Sequence, residues 1–350
     1  MKEEIQNTIK KNSIKSKTVI SFFSGCGGFD LGFSSAGFSV ELALDVDPVA
    51  VKSYNHNRGQ MVCHVADLAH TDPATILELY QHECGSVKPL GVIGGAPCQT
   101  FSNGNVHFNG DDVRHTLPRR YAYLLRALNE EYDLDFFVFE NVKGITSKKH
   151  QQEFTTIKRM FSCAGFKLFE GVLDAVNFGV AQHRCRVFLV GFNKVKYPNI
   201  QFAFPEAEMT VPLTVASKIK DLPTPLFFKQ GMTREDISFH PNHWTMYPRS
   251  RKFTDGFLKK NGYKQGRSFR VLQWDKPSST VAYGNREIHV HPNADRRLSV
   301  YEAMLLQGFP EDYELLGTLS DQIRQVSDAI PPQLGAALGK AIREALCDNI

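Results

Sequence analysis

Short apolar runs alternating with amphipathic stretches set the pattern of the first half of the chain. Residues 18–23 (TVISFF) are an unbroken run ended by the glycine-rich SGCGG of 24–28, which reads as a buried strand entering a turn. A helix is predicted from there through Ala36, with Gly37 as its stop. Further strands are predicted at 39–44, 61–65, 90–95, 135–141, 166–175 and 185–192. Helices are predicted from Pro48 to about Asn57, where proline suits the first helical position, at 73–82 and near 118–131. Strands alternating with helices imply an α/β, doubly wound, mostly parallel sheet. After Phe192 the pattern fails: prolines, short apolar runs and aromatic–basic mixtures such as WTMYPRSRKF point to a smaller, irregular, β-containing domain. Helical periodicity returns at 298–309 and 331–346. The predicted organisation is a mobile tail at 1–17, a first domain at 18–192, the smaller domain at 193–320, and a C-terminal helix within 321–350 that returns to the first domain.

The 42% hydrophobic and 22% charged composition is that of a globular protein and excludes disordered, collagen-like and disulfide-scaffold classes. No stretch approaches the roughly 18 consecutive apolar residues of a membrane helix, and the lysine-rich N-terminus has no apolar core of a signal peptide. Seven cysteines, odd in number and without a C-x-x-C pair, imply a cytoplasmic protein with neither a disulfide framework nor a zinc ribbon. His240 with His243, and His289 with His291, lack cysteine partners at finger spacing, so they are expected on the surface or facing a ligand, and no metal is expected. Net charge is only +4, but its distribution is uneven. Residues 193–300 hold 18 Lys and Arg against 9 Asp and Glu, a local +9 that leaves −5 elsewhere. That is the footprint of a localised polyanion-binding surface.

Four clusters carry candidate chemistry. Gly25, Gly27 and Gly28, between a strand and a helix, would bring backbone N–H groups and a helix N-terminus to a ligand. A dinucleotide fingerprint would need glycine where Asp30 stands, which disfavours a pyrophosphate. Asp45, ending the second strand, suits ribose hydroxyls, and Asp67, ending the third, could accept from an adenine amino group. An adenosine ligand without phosphates, S-adenosylmethionine, satisfies all three features; helix capping is the alternative role for each aspartate. Cys98 lies in GGAPCQTFS at the carboxyl end of a strand, where open α/β sheets bind ligands, with a buried structural thiol as the alternative. Phe139-Glu140-Asn141-Val142 follows the next strand, and Gln182-His183-Arg184-Cys185-Arg186 opens the last, where alternation would point Arg184 and Arg186 to one side. A thiolate, a protonatable carboxyl and guanidinium groups suit covalent attack on an electron-poor heterocycle.

These residues resemble the DNA (cytosine-5)-methyltransferase family, of the bacterial or phage type II modification kind. FFSGCGGFDLGF is similar to its cofactor loop, GGAPCQTFS to its nucleophile loop, FENV to its acid motif and VNFGVAQHRCRVFLVG to its arginine motif. RRLSVYEAMLLQGFP and QVSDAIPPQLGAAL resemble its two C-terminal motifs, and all six occur in the family's order. The resemblance implies a Rossmann-like S-adenosylmethionine-dependent fold that yields S-adenosylhomocysteine. It implies Cys98 attacking C6 of a flipped cytosine, Glu140 acting at N3, Arg186 holding the base O2, and Arg184 supporting the loop or the developing charge. Phe23, Gly25, Gly27, Gly28, Asp45, Val46, Asp67, Leu68, Pro97 and Asp328 would line the cofactor. Gln99, Ser102, Thr280 and Arg297 would serve the DNA side, and residues 193–300 would read bases in duplex DNA. The chain departs from the family at Ser21, where an acid is common, at Asp45-Val46-Asp47, and at Ser327-Asp328 in place of Gly-Asn. Transfer-RNA relatives carry Cys-Phe-Thr in the recognition region, which is missing here; a silent DNA-binding relative would not keep Pro-Cys and Glu-Asn-Val. A monomer in the bacterial cytoplasm, associated with the nucleoid, and either paired with a cognate restriction endonuclease without a stable complex or acting as an orphan regulatory methylase, is the implied setting.

Overall fold

The computed structural model describes residues 17–97, 116–261, 269–280 and 289–349. Seven strands form one sheet: β1 (Thr18–Phe22), β2 (Ser39–Asp45), β3 (Cys63–Val65), β4 (Gly91–Gly95), β5 (Phe136–Val142), β6 (Phe166–Asp174) and β7 (Cys185–Asn193), in the order 3-2-1-4-5-7-6. Neighbours are parallel except β7, which runs antiparallel to both β5 and β6. β1 is buried at every position because helices cover both faces, which is why it reads as a continuous apolar run. α1 (Gly28–Ser35), α2 (Pro48–Arg58) and a C-terminal helix cover one face; α3 (Pro73–Cys84), α4 (Leu117–Tyr132) and α5 (Gln151–Cys163) cover the other. The strand order reverses between β1 and β4, so their carboxyl ends open a crevice suited to a ligand.

The chain ends with α6 (Val300–Leu306), α7 (Leu319–Asp328) and α8 (Pro332–Asp348). α8 returns to the sheet and crosses α1 at very close range. A Cβ on Gly32 would lie 2.0 Å from the Pro332 carbonyl oxygen, and one on Gly339 would lie 2.8 Å from the Ala36 Cβ. Small residues four apart on both helices make this approach possible.

The irregular segment holds only two short strands among its described residues, β8 (Leu226–Phe227) and β9 (Trp244–Thr245), paired parallel. It is anchored through its own apolar cluster, in which Val215, Ile219 and Trp244 pack with Leu298, Met304 and Val326. Here the Trp244 indole N–H donates to Gln322 Oε1 at 2.7 Å. Arg296 grips the fully buried Glu302 of α6 through two 2.8 Å hydrogen bonds.

Three expectations change. The third strand begins at Cys63, not 61: Met61 is exposed, and the Asn55 side chain, not a neighbouring strand, receives the Val62 and Cys63 amides. Two helices of ten or more residues, α5 and α7, appear where none was assigned; each buries one stripe (Phe154, Ile157, Phe161; Leu319, Ile323, Val326). His240, His243, His289 and His291 are buried, not superficial. His240 stacks on Tyr301, His243 meets Ser299 Oγ and the Pro223 carbonyl, and His291 meets Trp274 edge-on. No group of three or more potential metal ligands occurs among the described residues. No described helix is long and apolar enough to cross a membrane.

Candidate active site

The cofactor-side expectations converge on the carboxyl ends of β1 and β2. Phe23 leaves β1 with φ 54°, a left-handed conformation that costs a bulky residue energy and accompanies functional turns. Its ring stacks on Tyr121, 6.4 Å between centroids. The three glycines of the loop serve different needs. Gly27 (φ 92°) caps α1 with the Tyr54 ring 2.7 Å from where a Cβ would be, and Gly28 lies against the Ile330 carbonyl. Gly25 (φ 54°) has nothing among the described residues within 4 Å of its absent Cβ. Packing from below therefore fixes the loop, while its tip is left open to a ligand.

Asp45 ties this loop to the second strand: its carboxylate accepts from Gly25 N and Asp47 N, both at 2.8 Å. Each oxygen keeps further acceptor capacity, as a ribose would need. Burial pushes the Asp45 pKa up, against those two hydrogen bonds. Helix capping falls to Asp47, which receives Val49 N and also pairs with Arg324 at 2.8 Å. Val46 is exposed beside them. Asp328 reaches solvent at the end of α7, yet burial by the surrounding protein still raises its pKa, as on a concave surface; Arg184 and Arg324 pull it down while Asp45 and Asp47 push it up. These three acids make the crevice electronegative, a setting for a cationic ligand. Asp67 is half exposed and held below the usual carboxylate range by its hydrogen bond from His70, with Ala69 N as a second donor. Leu68 is buried, and its carbonyl receives Arg120 Nε at 3.1 Å.

The second half of the site lies across β4, β5 and β7. Glu140 is buried opposite Gly95 in the sheet register, and Arg186 Nε stands 2.8 Å from its Oε1. Burial raises the Glu140 pKa; Arg186 and Arg184 oppose it. A Cβ on Gly95 would come within 2.4 Å of Glu140 Oε2, so only glycine leaves room for the carboxyl. Asn141 Nδ2 donates to the Ala96 carbonyl at 3.3 Å, holding the exit of β4. Gly95 and Asn141 were given no role in the expected site, although Asn141 stands beside Glu140 and Gly95 lies within the GGAPCQTFS run; the need for glycine at 95 arises only from strand pairing. Arg184 is fully buried and donates to the Ser327 carbonyl at 2.7 Å, bridging the acid to the end of α7. Pro97 is the last described residue of its loop; Cys98, Gln99 and Ser102 lie outside the described residues.

On the expected DNA side, the Thr280 hydroxyl donates to the His183 carbonyl at 2.6 Å rather than pointing to solvent alone. The Arg297 guanidinium lies over Phe269 at 5.0 Å and Phe253 at 5.9 Å. Arg297 is thus stacked on an aromatic pair.

Comparison with known proteins gives this geometry its family. The C-5 cytosine-specific DNA methylase family matches residues 17–344. The chain is 32% identical to the type II methyltransferase M.NmeDI of Neisseria meningitidis serogroup C, over 91% of this chain and 81% of that one. It is also 32% identical to M.FnuDI of Fusobacterium nucleatum, over 95% of each. Among solved structures, a candidate DNA modification methyltransferase encoded in an E. coli prophage superposes with TM-score 0.73 at 22% identity, covering 94% of this chain and 99% of the other. S. pombe Dnmt2 superposes with TM-score 0.60 at 19% identity, covering 94% and 98%. The chain belongs to the C-5 cytosine-specific DNA methylase family and is a DNA (cytosine-5)-methyltransferase.

Proposed function

We propose that the chain methylates C5 of a cytosine flipped out of a particular duplex DNA sequence, with Cys98 as nucleophile and Glu140 as acid. The observation that carries this reading is the buried Glu140–Arg186 pair, set beside the strand that leads through Pro97 into Cys98. S-adenosylmethionine, when bound, supplies the methyl group and the positive charge that makes it transferable. The open tip at Gly25, the spare acceptors of Asp45 and the electronegative crevice fit such a cation, with Phe23 and Asp67 toward adenine, Asp328 toward the ammonium, and Val46, Leu68 and Pro97 as lining.

C5 of cytosine is inaccessible within a duplex, so flipping is a physical requirement. The Cys98 thiolate adds to C6, and the displaced π electrons are stabilised as Glu140 delivers a proton to N3. Arg186 holds both the base O2 and the Glu140 carboxylate, which orients the acid. C5 then bonds the methyl group, with S-adenosylhomocysteine as the leaving thioether, and N3 returns its proton to Glu140; C5 loses its proton to water and Cys98 is expelled as thiolate. Burial raises the Glu140 pKa against the pull of Arg186 and Arg184, the direction a proton donor needs. Residues 193–320 act as the recognition domain, with Gln99, Ser102, Thr280 and Arg297 on the DNA side. The role is protection of host DNA from a cognate endonuclease, by a monomer in a bacterial cytoplasm.

Tritium transfer from labelled S-adenosylmethionine into unmethylated duplex DNA tests the reading, with transfer RNA as a control. Label is expected in DNA, absent with Cys98→Ala, and reduced about 10²- to 10⁴-fold with Glu140→Gln. Label in transfer RNA alone would make the chain an RNA methyltransferase; DNA binding without transfer would make it a silent reader.

A further inference from the structure

The recognition segment touches the arginine motif through an isolated β-bridge. Ser278 pairs with Gln182 in a parallel bridge, in which Ser278 N donates to the Ala181 carbonyl and His183 N donates to the Ser278 carbonyl, both at 2.8 Å. The Thr280 hydroxyl then closes on the His183 carbonyl at 2.6 Å. His183 immediately precedes Arg184, whose own N–H is fixed by Asp174 Oδ1 at 2.8 Å. What holds residues 278–280 from behind is one buried imidazole. His289 Nε2 lies 3.1 Å from the Thr280 carbonyl, 3.3 Å from the Ser279 carbonyl and 3.1 Å from Ser279 Oγ. Carbonyl oxygens only accept, so Nε2 carries the proton and shares it among them.

His289 is itself rigidly mounted. Its carbonyl receives Leu298 N at 2.9 Å, and Val290 bridges both Val271 and Arg297. That turn is locked to α6 by the Arg296–Glu302 pair. A continuous path of hydrogen bonds thus runs from α6, through His289 and residues 278–280, to His183 and the buried Arg184. Two residues further on, in β7, Arg186 carries it to Glu140, with Nε 2.8 Å from Oε1.

We propose that His289 is a positioning residue for methyl transfer: it registers the recognition segment against the arginine motif, so that Arg184, Arg186 and Glu140 are correctly set only when that segment is seated. The inference rests on the function proposed above. Because an imidazole is replaced here by a donor-free side chain, His289→Leu leaves two part-buried carbonyls without this donor, whereas the Gln amide of His289→Gln can still reach them.

The test measures kcat and KM for duplex DNA, together with Kd for DNA and the thermal midpoint. The rates are taken well below that midpoint and divided by active sites titrated with the cofactor. His289→Leu is expected to lower kcat per active site roughly 10- to 100-fold, the scale of a misplacement of about 1 Å, with DNA Kd nearly unchanged. His289→Gln is expected to restore most of that rate. His240→Leu, which removes another buried histidine of the same region, is the stability control and is expected to lower the midpoint while keeping kcat. Unchanged kcat in His289→Leu, or an equal loss in His240→Leu, would overturn the proposal by reducing His289 to a packing residue. Absence of transfer by the unaltered chain would instead remove the functional reading, and this inference with it.

Discussion

The energetics of single residues in this site are dominated by burial of charge. Asp30 occupies the place where a dinucleotide fingerprint would require glycine, and it is buried beneath the glycine loop with Ser21 Oγ donating to it at 2.7 Å. Burial pushes its pKa up to about 7, even though Ser21 and Tyr54 stabilise the anion. In the unfolded chain the same carboxyl ionises near its ordinary value of 3.8. Between these values the folded state holds a proton that the unfolded state releases, so stability from this group is present at low pH and lost as pH rises through about 7. Asp30→Asn keeps the acceptor for Ser21 and cannot ionise. The variant is expected to gain thermal stability relative to the parent at pH 8 and little at pH 5. Equal differences in melting temperature at the two pH values would sink this account. The other raised acids, Asp45, Glu140 and Asp328, are present in both proteins and cancel in the comparison.

Elements bring the reacting groups together by register. β4 and β5 are parallel with Gly95 facing Glu140, and β7 runs back beside β5 with Arg186 opposite Val142. The acid is thereby caught between a position that must lack a side chain and a guanidinium. Gly95→Ala places a methyl 2.4 Å from Glu140 Oε2, and the carboxyl cannot swing away without breaking its 2.8 Å pairing with Arg186. Methyl transfer is expected to fall at least about tenfold, as misorientation of a catalytic group predicts. Sheet integrity should survive, because both residues remain on interior strands. Circular dichroism and transfer rates on the same sample check this, and a fully active alanine variant would show that the acid has another stable position. Much of this was legible beforehand: the apolar runs disclosed the strands, and the polar clusters at their ends disclosed Glu140, Arg184 and Arg186. Gly95 was not, since its requirement arises from a side chain 45 positions away that only strand pairing brings near. The buried histidines were misplaced for a similar reason, because their partners Ser279, Ser299 and Tyr301 are contributed by other parts of the fold.

For the whole molecule, charge is segregated: residues 193–300 carry a local +9 against −5 for the remainder. Arg251, Lys259 and Lys260 lie exposed on two single-turn helices of that segment. Replacing them with alanine should weaken DNA binding evenly across sequences and flatten the plot of log affinity against log salt by about one unit for each phosphate no longer neutralised. Anisotropy titrations across a salt series measure the slope, and an unchanged slope would place the phosphates elsewhere. The sequence by itself determined the class of sheet, the order of its elements and the family, because burial periodicity, glycine turns and motif order are local properties of a chain. Only the tertiary structure decided the antiparallel seventh strand, the close crossing of α1 and α8, and the path from His289 to the arginines. Those depend on which distant residues meet, and that is settled by the simultaneous packing of apolar faces and pairing of buried polar groups across the whole fold.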